Sequence, residues 1–352
     1  MVTNLLKYFP MLRGREVVLE DIKSNRNLLD TFNSWTNDER ERFISYCTGQ
    51  RGLKISYDPY FKEVFDVNID KDRLDRLLSA IMDQKVEVLY AIPNDSARIA
   101  SEQALLITDI VVRLENQSLV NLEIQKIGYY FSGQRAACYS ADLLLREYKR
   151  IKDDMKKKFT YKSIMPIYTI VIFEDSPYEV KMAKDYYIHK SNLSFDTGIK
   201  VDLLQNFIFI SLDNFHNIIQ NRVEKIRKGD GIDNLSEMGG RLIKNELEKW
   251  LLFLSFDEPE YIEALINADS YYERLYKDIY NMCLNTERLM NMFSAELFEA
   301  DKNTIKYMMD DMQEQIDDLH KQVAEKDAVL TEKDAAIDDL KKKVEALEAR
   351  LV

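Results

Sequence analysis

The sequence predicts an α/β protein in which an αβββαβ core with a mixed sheet is followed by a helical region and a C-terminal coiled coil. Helical patterns and apolar strand-like runs alternate in that order between residues 68 and 174. No Gly follows Gly240 and no Pro follows Pro259, so the last part of the chain is expected to be helical. Its last fifty residues repeat mostly apolar positions at alternating spacings of three and four.

The predicted core opens with a helix and three strands. Apolar residues recur at helical spacing over 68–84, and residues 86–92 have the composition of a strand. Two β-rich runs, 105–114 and 119–126, flank residues 115–118, whose sequence Glu-Asn-Gln-Ser is typical of a hairpin turn. The second and third strands are therefore expected to form a hairpin.

A crossover to a fourth strand completes the predicted core. Residues 133–150 form a long helical pattern after a break at 128–132. Residues 164–174 (IMPIYTIVIFE) are almost continuously apolar, as expected of a strand that is covered on both faces of a sheet.

The C-terminal heptads predict a homo-oligomer. One series of positions is Met309, Ile316, Val323, Leu330, Ile337, Val344 and Leu351, and the other is Met312, Leu319, Lys326, Lys333, Leu340 and Leu347. A sustained spacing of 3.5 residues favours a coiled coil, because a single polar helix gains little stability alone. The two lysines weaken the middle of this seam, and a lone amphipathic helix lying on the globular part is the open alternative.

Breaks in these patterns divide the chain into four segments. We predict an N-terminal helical segment over 1–52, the α/β core over 53–215, a helical region over 216–304 and the coiled coil over 305–352. From Asp301 onward the chain carries 9 Lys and Arg against 14 Asp and Glu, so the tail contributes less than half of the net charge of −12.

Composition excludes several functional classes. With a net charge of −12 and 46% apolar residues, the chain is not a basic nucleic-acid coat protein. No apolar run reaches the ~18–20 residues that cross a bilayer, and the N-terminus lacks the apolar region of a signal peptide, so we expect a cytoplasmic protein without a membrane partner. The GxxxxGK[ST], GxSxG and dinucleotide-binding signatures are missing from the sequence.

The cysteines and histidines are too few and too scattered for a zinc or disulfide framework. They are Cys47, Cys138, Cys283, His189, His216 and His320. The lack of CxxC and HExxH spacing argues against a zinc site, and three distant cysteines suggest a reducing compartment.

Two acidic residues interrupt apolar strands of the predicted hairpin. Asp109 lies in its first strand and Glu123 in its second. A carboxylate in such a strand is costly unless it is paired or binds a cation. Antiparallel pairing across a turn at 115–118 places Asp109 near the level of Gln125 or beyond it, so a small register shift or a bulge is needed to bring the two carboxylates together.

Strand alternation decides which neighbours share the face of Glu123. Gln125 lies on that face, whereas Ile124 and Lys126 point to the other. Two carboxylates and a backbone carbonyl are hard oxygen ligands that suit Mg²⁺ or Mn²⁺ with several retained waters. The spacing alone is a weak pattern, because many hairpins carry acids for solubility.

A basic stretch follows the predicted hairpin. Residues 146–162 contain eight basic and three acidic residues, a local charge of +5 in an acidic protein. Such a stretch next to a carboxylate site is what the phosphates of a nucleic acid require. A solvated helix end whose lysines complement the helix dipole is the open alternative.

Five segments together resemble one known family, the PD-(D/E)XK nuclease family transposases, also known as the recombination-promoting nuclease group of bacteria. The segments are YDPYFKEVF (57–65), PNDSARIA (93–100), LITDIVVRLENQSLVNLEIQK (106–126), GQRAACYSADLLLREYKR (133–150) and PIYTIVIFE (166–174). The resemblance implies a restriction-endonuclease-like core that hydrolyses DNA phosphodiesters with a divalent metal, Mg²⁺ or Mn²⁺.

The resemblance also implies roles for individual residues. The metal-binding Asp and Glu of the family fall on Asp109 and Glu123, and the carbonyl of Ile124 completes the protein ligands. Thr108 stands in place of the Pro that gives the motif its name. Gln125 stands where the family usually has Lys, so it would position the attacking water without supplying a positive charge.

Further residues are assigned to DNA binding or to an accessory role. We expect Arg135, Arg146, Lys149 and Arg150 to bind DNA, and Glu63, Gln134 and Tyr139 to be possible accessory residues. The predicted function is a metal-dependent endonuclease that promotes recombination or transposition. The rival prediction is a catalytically inactive nuclease fold that acts as a coiled-coil oligomeric module for binding DNA or protein.

Overall fold

A computed structural model of the chain describes residues 5–92, 110–127, 133–191 and 195–298, together with the single positions 326 and 333. The chain divides into two compact units, Met1–Glu296 and Leu297–Val352. Lys326 and Lys333 are helical and exposed, and the rest of the predicted coiled coil lies outside the described residues. The coiled coil therefore stays a prediction.

Five α-helices precede the sheet among the described residues. They are α1 (Arg15–Ser24), α2 (Arg26–Ser34), α3 (Asn37–Thr48), α4 (Asp58–Val64) and α5 (Val67–Met82). Thr36 and Glu39 form a reciprocal capping box that starts α3. Gly49 ends α3 in the left-handed region at φ 67°, where a Cβ would collide with the side chain of Leu12.

The sheet is mixed and has six strands among the described residues. They are β1 (Val88–Ala91), β2 (Ile110–Leu114), β3 (Leu119–Ile127), β4 (Ile167–Asp175), β5 (Ile188–Lys190) and β6 (Gln205–Ser211), in the spatial order β1-β2-β3-β4-β6-β5. The pairs β3–β4 and β4–β6 are parallel, and the other three pairs are antiparallel. Helix α6 (Gly133–Met155) links β3 to β4, so the described elements confirm a mixed α/β core in the predicted order.

The remaining helices follow β4. They are α7 (Tyr178–Lys181), α8 (Leu212–Asp230), α9 (Gly239–Leu242), α10 (Glu246–Ser255), α11 (Pro259–Ala268), α12 (Ser270–Met282) and α13 (286–298). The first unit joins the N-terminal helices to this region through aromatic contacts. The ring of Phe293 lies 5.0 Å from Trp35 and 5.7 Å from Phe43, and Phe9 lies 4.8 Å from Tyr280.

Helix α6 covers one face of the sheet. Near the start of the helix, Tyr139 packs against Val171 and Phe173 of β4. Further along, Leu143 packs against an apolar cluster that includes Leu119 of β3 and Ile167 of β4. The alternate residues of β4, such as Ile170 and Ile172, are also fully buried. Strand β4 is therefore covered on both faces, as its apolar sequence predicts.

The hairpin between β2 and β3 differs by one residue from the sequence-based expectation. The N–H of Leu114 donates to the carbonyl of Ser118 at 3.0 Å, so the loop is Glu115–Gln117 rather than 115–118. Gln117 adopts a left-handed conformation at φ 68°, as the last residue of a three-residue hairpin loop often does. The resulting register pairs Ile110 with Leu122. Because a one-residue slip reverses the face of every side chain, this loop decides which residues of the first strand share the face of Glu123.

Candidate active site

A row of polar side chains lies on the α6 face of β3. Asn121, Glu123 and Gln125 alternate with apolar residues and so point to the same side as Leu119, which packs under α6. Asn121 and Glu123 are almost completely buried, with exposed fractions of 0% and 1%. Gln125 is partly buried. A buried carboxylate in the middle of a sheet is the feature that most needs a functional explanation.

The neighbours of Glu123 in its own strand orient its carboxylate. Asn121 donates from Nδ2 to Oε1 at 3.1 Å, and Gln125 donates from Nε2 to Oε2 at 3.5 Å, the outer limit of a hydrogen bond. Each carboxylate oxygen therefore receives a side-chain amide from the residue two positions away. The role of Asn121 was not predicted, although an Asn two residues before Glu123 in an apolar strand is a signal visible in the sequence.

Two buried polar atoms lie beside this carboxylate. Thr169 of β4 is the register partner of Asn121 and is fully buried. Within the described part of the chain, neither Oδ1 of Asn121 nor Oγ1 of Thr169 has a hydrogen-bond partner. Because an unsatisfied buried polar atom costs about 1–3 kcal/mol, such atoms usually bind an ordered water or face a polar ligand. The environment of Glu123 is thus polar on two adjacent strands.

The oxygen donors at this position suit a hard divalent cation. Glu123 offers a carboxylate and Ile124 a backbone carbonyl, and Mg²⁺ typically uses one or two protein carboxylates and several waters. Asp109, the other predicted ligand, lies outside the described residues. No group of three or more His, Cys, Asp or Glu side chains able to hold a metal occurs among the residues that are described.

Lys126 lies on the opposite face of the sheet, as strand alternation predicts. Its Nζ is 2.8 Å from Oε1 of Glu296 in α13 and lies 4.9 Å from the ring centroid of Tyr57. Burial raises the pKa of Glu296 above its usual value, and the ammonium of Lys126 counteracts part of this effect. Lys126 is thus part of a packing contact and is not positioned to replace the charge that Gln125 lacks.

At the start of α6, Arg135 contacts Tyr139. Arg135 donates from Nε and Nη2 to Oη of Tyr139 at 2.9 and 2.7 Å, and its guanidinium lies 5.3 Å from the ring centroid. Tyr139 is 2% exposed and packs on Val171, the residue that pairs with Glu123 across β3 and β4. Tyr139 therefore fixes the position of the Arg135 guanidinium. Gln134, the preceding residue, is exposed.

The other predicted DNA-binding residues lie further along α6. Arg146 forms an ion pair with Asp142, and Arg150 forms one with Glu147 at 2.7 Å, whereas Lys149 is exposed. At 1.5 Å per residue, Arg150 is about 16 Å along the helix from Tyr139. Arg146, Lys149 and Arg150 are thus several base pairs of DNA away from Glu123 along the helix. Arg146 and Arg150 also have acidic partners in the protein.

A buried ion pair ties the β2–β3 hairpin to α6. Nη2 of Arg113 is 2.8 Å from Oε2 of Glu147, and both side chains are almost completely buried. Arg113 also donates to the carbonyl of Gln117 at 2.8 Å. Burial alone would raise the pKa of Glu147, but hydrogen bonds from Arg150 and Arg113 outweigh it and hold that pKa below its usual value. This contact holds the three-residue loop, and with it the strand register, against the helix.

The described partner of Glu63 is on α13 and not in this row of polar residues. Glu63 forms an ion pair with Arg288 of α13. The same helix supplies Glu296 to Lys126 on the face of β3 that does not carry Glu123. The described contacts of Glu63 thus do not bring it to Glu123.

Comparisons with known proteins identify the family. No curated protein and no solved structure gives a significant match. None of the described helices is long and apolar enough to span a membrane. The sequence model that defines the PD-(D/E)XK nuclease family transposases matches residues 56–317. This range includes β1 to α13 and the row of polar side chains on β3. Since this match extends over more than half of the sequence, the chain belongs to the PD-(D/E)XK nuclease family transposases.

Proposed function

We propose that this protein is a metal-dependent endonuclease that hydrolyses DNA phosphodiester bonds, and that this cleavage promotes recombination or transposition. The observation that carries the proposal is the buried carboxylate of Glu123, held between two amides in the central strand of a nuclease-family core. A carboxylate buried at this depth needs compensation of its charge, and a divalent cation bound at the site would supply it.

The register of the hairpin supports a role for Asp109. Residues 113, 112, 111 and 110 of β2 pair in turn with residues 119, 120, 121 and 122 of β3. Continued by one residue, that series would put Asp109 opposite Glu123 and on the same face. Directly opposite residues have Cβ atoms about 4.5–5.5 Å apart, a separation that allows two carboxylates to share one ion. With a loop of four residues, Asp109 would instead point to the other face.

We propose that Asp109, Glu123 and the carbonyl of Ile124 hold Mg²⁺ or Mn²⁺. Such an ion, when bound, lowers the pKa of a water and neutralises charge on a phosphate. The protein contributes orientation and burial. Asn121 and Gln125 keep the carboxylate of Glu123 in one orientation, and α6 covers the face of β3 on which Glu123 lies.

Gln125 is proposed to orient the attacking water. Its amide can donate to or accept from a water, but it carries no charge. The loss of a charged donor is expected to cost about 2–4 kcal/mol of transition-state stabilisation. We therefore expect a slow enzyme.

Arg135 is proposed to contact the DNA near the scissile phosphate, and Lys149 to contact its backbone further away. Arg146 and Arg150 would have to exchange Asp142 and Glu147 for phosphates in order to contribute. The predicted coiled coil would pair protomers so that two sites cut two strands. Removal of the residues after 305 should then convert an oligomer to a monomer in light scattering, and an unchanged mass would contradict this role.

A plasmid-nicking assay with Mg²⁺ or Mn²⁺ tests the activity. The wild-type chain should nick supercoiled DNA, whereas Glu123→Gln and Asp109→Asn should abolish nicking. Glu115→Gln, an exposed glutamate of the same hairpin loop, is the matched control and should leave the rate unchanged. Equal background nicking by the wild type and both site variants, in either metal, would rule out the proposed activity.

The second candidate is a nuclease-fold protein that binds DNA or protein without cutting. It is favoured by the absence of an ammonium at Gln125 and by the ion pairs of Arg146 and Arg150. Oligonucleotide binding that is retained by wild type and Glu123→Gln alike, with no cleavage by either, would support this candidate over the enzyme.

A further inference from the structure

The C-terminal end of α6 and the segment that follows it form an exposed basic and aromatic surface. We call it the lysine platform, and its members are Lys149, Lys152, Lys156, Lys157, Lys158 and Lys162 with Tyr148, Phe159 and Tyr161. All six lysines are exposed. Among residues 148–162 the acids are Asp153 and Asp154, and Arg150 donates to Asp154 at 3.1 Å. The surface is therefore strongly positive on a protein whose net charge is −12.

Three aromatic rings stand together at the centre of this surface. Tyr148 and Tyr161 are stacked with an interplanar angle of 9° and a centroid distance of 6.0 Å. Phe159 meets both rings edge-on at 5.5 and 5.4 Å. Lys152 donates to Oη of Tyr148 at 2.9 Å and lies 5.2 Å from its ring centroid. The rings thus support one another in a fixed arrangement.

The outermost ring of this group is available to a ligand. Tyr161 is 73% exposed, although it stacks on Tyr148 with one face. Such an exposed ring contributes little to the apolar core. Exposed aromatic rings among lysines are typical of proteins that bind single-stranded nucleic acids, in which bases stack on the rings and lysines contact the phosphates.

The lysine platform is remote from Glu123. Tyr139 marks the level of Glu123 on α6, and Met155 at the end of the helix is about 24 Å further along its axis. A DNA strand advances about 3.4 Å per nucleotide in a duplex, so the platform would meet the substrate roughly seven nucleotides from the cleaved bond.

We propose that the lysine platform binds an unpaired stretch of the DNA strand, with a base stacked on Tyr161 and phosphates bound by the surrounding lysines. This inference deepens the proposed function and rests on it, because it names the form of the substrate: DNA with a single-stranded segment flanking the cleavage site. The duplex part then extends along α6 towards Glu123.

Fluorescence anisotropy of the full-length chain in EDTA tests the proposal without cleavage. The probes are a labelled (dT)20 strand, a blunt duplex and a duplex with an eight-nucleotide single-stranded tail. The wild type should bind (dT)20 and the tailed duplex more tightly than the blunt duplex. Tyr161→Ala should weaken binding of (dT)20 by about tenfold, the loss of one stacked base, whereas Tyr161→Phe should retain it because the ring is kept.

Matched controls separate this surface from general effects. Tyr178→Ala removes a tyrosine that is equally exposed, 73%, on α7 and should leave binding unchanged. The double variant Lys157→Gln and Lys158→Gln should reduce the slope of log K against log salt by about 1.4, at roughly 0.7 per phosphate contact on a single strand. Lys184→Gln with Lys225→Gln, two exposed lysines elsewhere, should not change that slope.

Several outcomes would overturn the proposal. Equal losses in Tyr161→Ala and Tyr178→Ala, no preference of the wild type for the tailed over the blunt duplex, or equally effective competition by polyglutamate would exclude base stacking at this surface. Tighter binding of (rU)20 than of (dT)20 would exclude DNA as its ligand. Failure of the nuclease proposal is distinguished by the nicking assay, since binding in EDTA does not require catalysis.

Discussion

Two buried glutamates on facing elements, Glu123 on β3 and Glu147 on α6, differ in their hydrogen-bond partners. Glu123 and Glu147 have the same exposed fraction of 1%, and both lie between the sheet and this helix. Glu147 receives bidentate hydrogen bonds from Arg113 and from Arg150, so its charge is compensated within the protein. The hydrogen bonds described for Glu123 come from the neutral amides of Asn121 and Gln125.

We therefore expect Glu147 to be structural, whereas Glu123 is the carboxylate that we propose for the chemistry. A buried carboxylate surrounded by guanidinium groups is neutralised and fixed, and its removal leaves those cations uncompensated. For Glu123, the divalent cation proposed at the site would supply the compensation of its charge. The predictions below test this contrast, beginning with the largest expected effect.

Removal of the charge at Glu147 should destabilise the fold. Glu147→Gln leaves the buried guanidinium of Arg113 without its counter-charge, so the free energy of unfolding should fall by about 3–5 kcal/mol. In EDTA, Glu123→Gln should change it far less, because the proposed metal ion is removed and the variant no longer buries a charge. Urea denaturation of both variants measures the difference. Comparable losses would mean that both carboxylates are structural, and the contrast would fail.

A charge at Gln125 should increase activity. Gln125→Lys supplies an ammonium at the position that we assign to the Lys of the PD-(D/E)XK motif, and we expect it to recover up to about 2–4 kcal/mol of transition-state stabilisation. We expect at least a tenfold faster nicking rate at equal metal concentration, corresponding to roughly 1.4 kcal/mol. Gln125→Ala is the control and should be slower than wild type. A lysine variant no faster than the alanine variant would mean that this position does not contact the water.

Loss of the amide at Asn121 should have a smaller effect. Asn121→Leu removes a hydrogen bond to Glu123, so activity should fall by about five- to tenfold, or roughly 1–1.5 kcal/mol. The metal concentration that gives half-maximal nicking should rise as well, because a carboxylate that is no longer oriented binds the ion less tightly.

A control asparagine distinguishes positioning from packing at this site. Asn206→Leu replaces a strand asparagine of β6 whose amide lies 3.5 Å from the carbonyl of Ile167. It should leave both the rate and the metal requirement unchanged. A slower Asn121→Leu variant with an unchanged metal requirement would indicate a packing defect rather than a lost hydrogen bond to Glu123.

The period-two pattern of β3 was sufficient to predict which residues share a face. Glu123 and Gln125 on one side, and Lys126 on the other, follow from alternation alone, because a strand has no other way to orient consecutive side chains. The buried β4 was equally predictable from its apolar run. Both features are local, so no distant residue had to be known.

The register between β2 and β3 was not predictable in the same way. It depends on the left-handed conformation of Gln117, a residue type that does not signal that conformation, and on Arg113, whose guanidinium reaches the loop and Glu147 at once. Arg146 and Arg150 show the same limit, because a charge count cannot reveal that Asp142 and Glu147 are their partners.

By itself, the sequence determined the mixed α/β core, its family resemblance and the polar face of β3, because short-range periodicity and motif spacing are written directly in residue order. Only the tertiary structure decided the hairpin register, the pairing of Arg113 with Glu147 and the aromatic stack beside the lysines of α6. These features depend on how separate elements pack against one another, and no periodic pattern in the sequence reveals that packing.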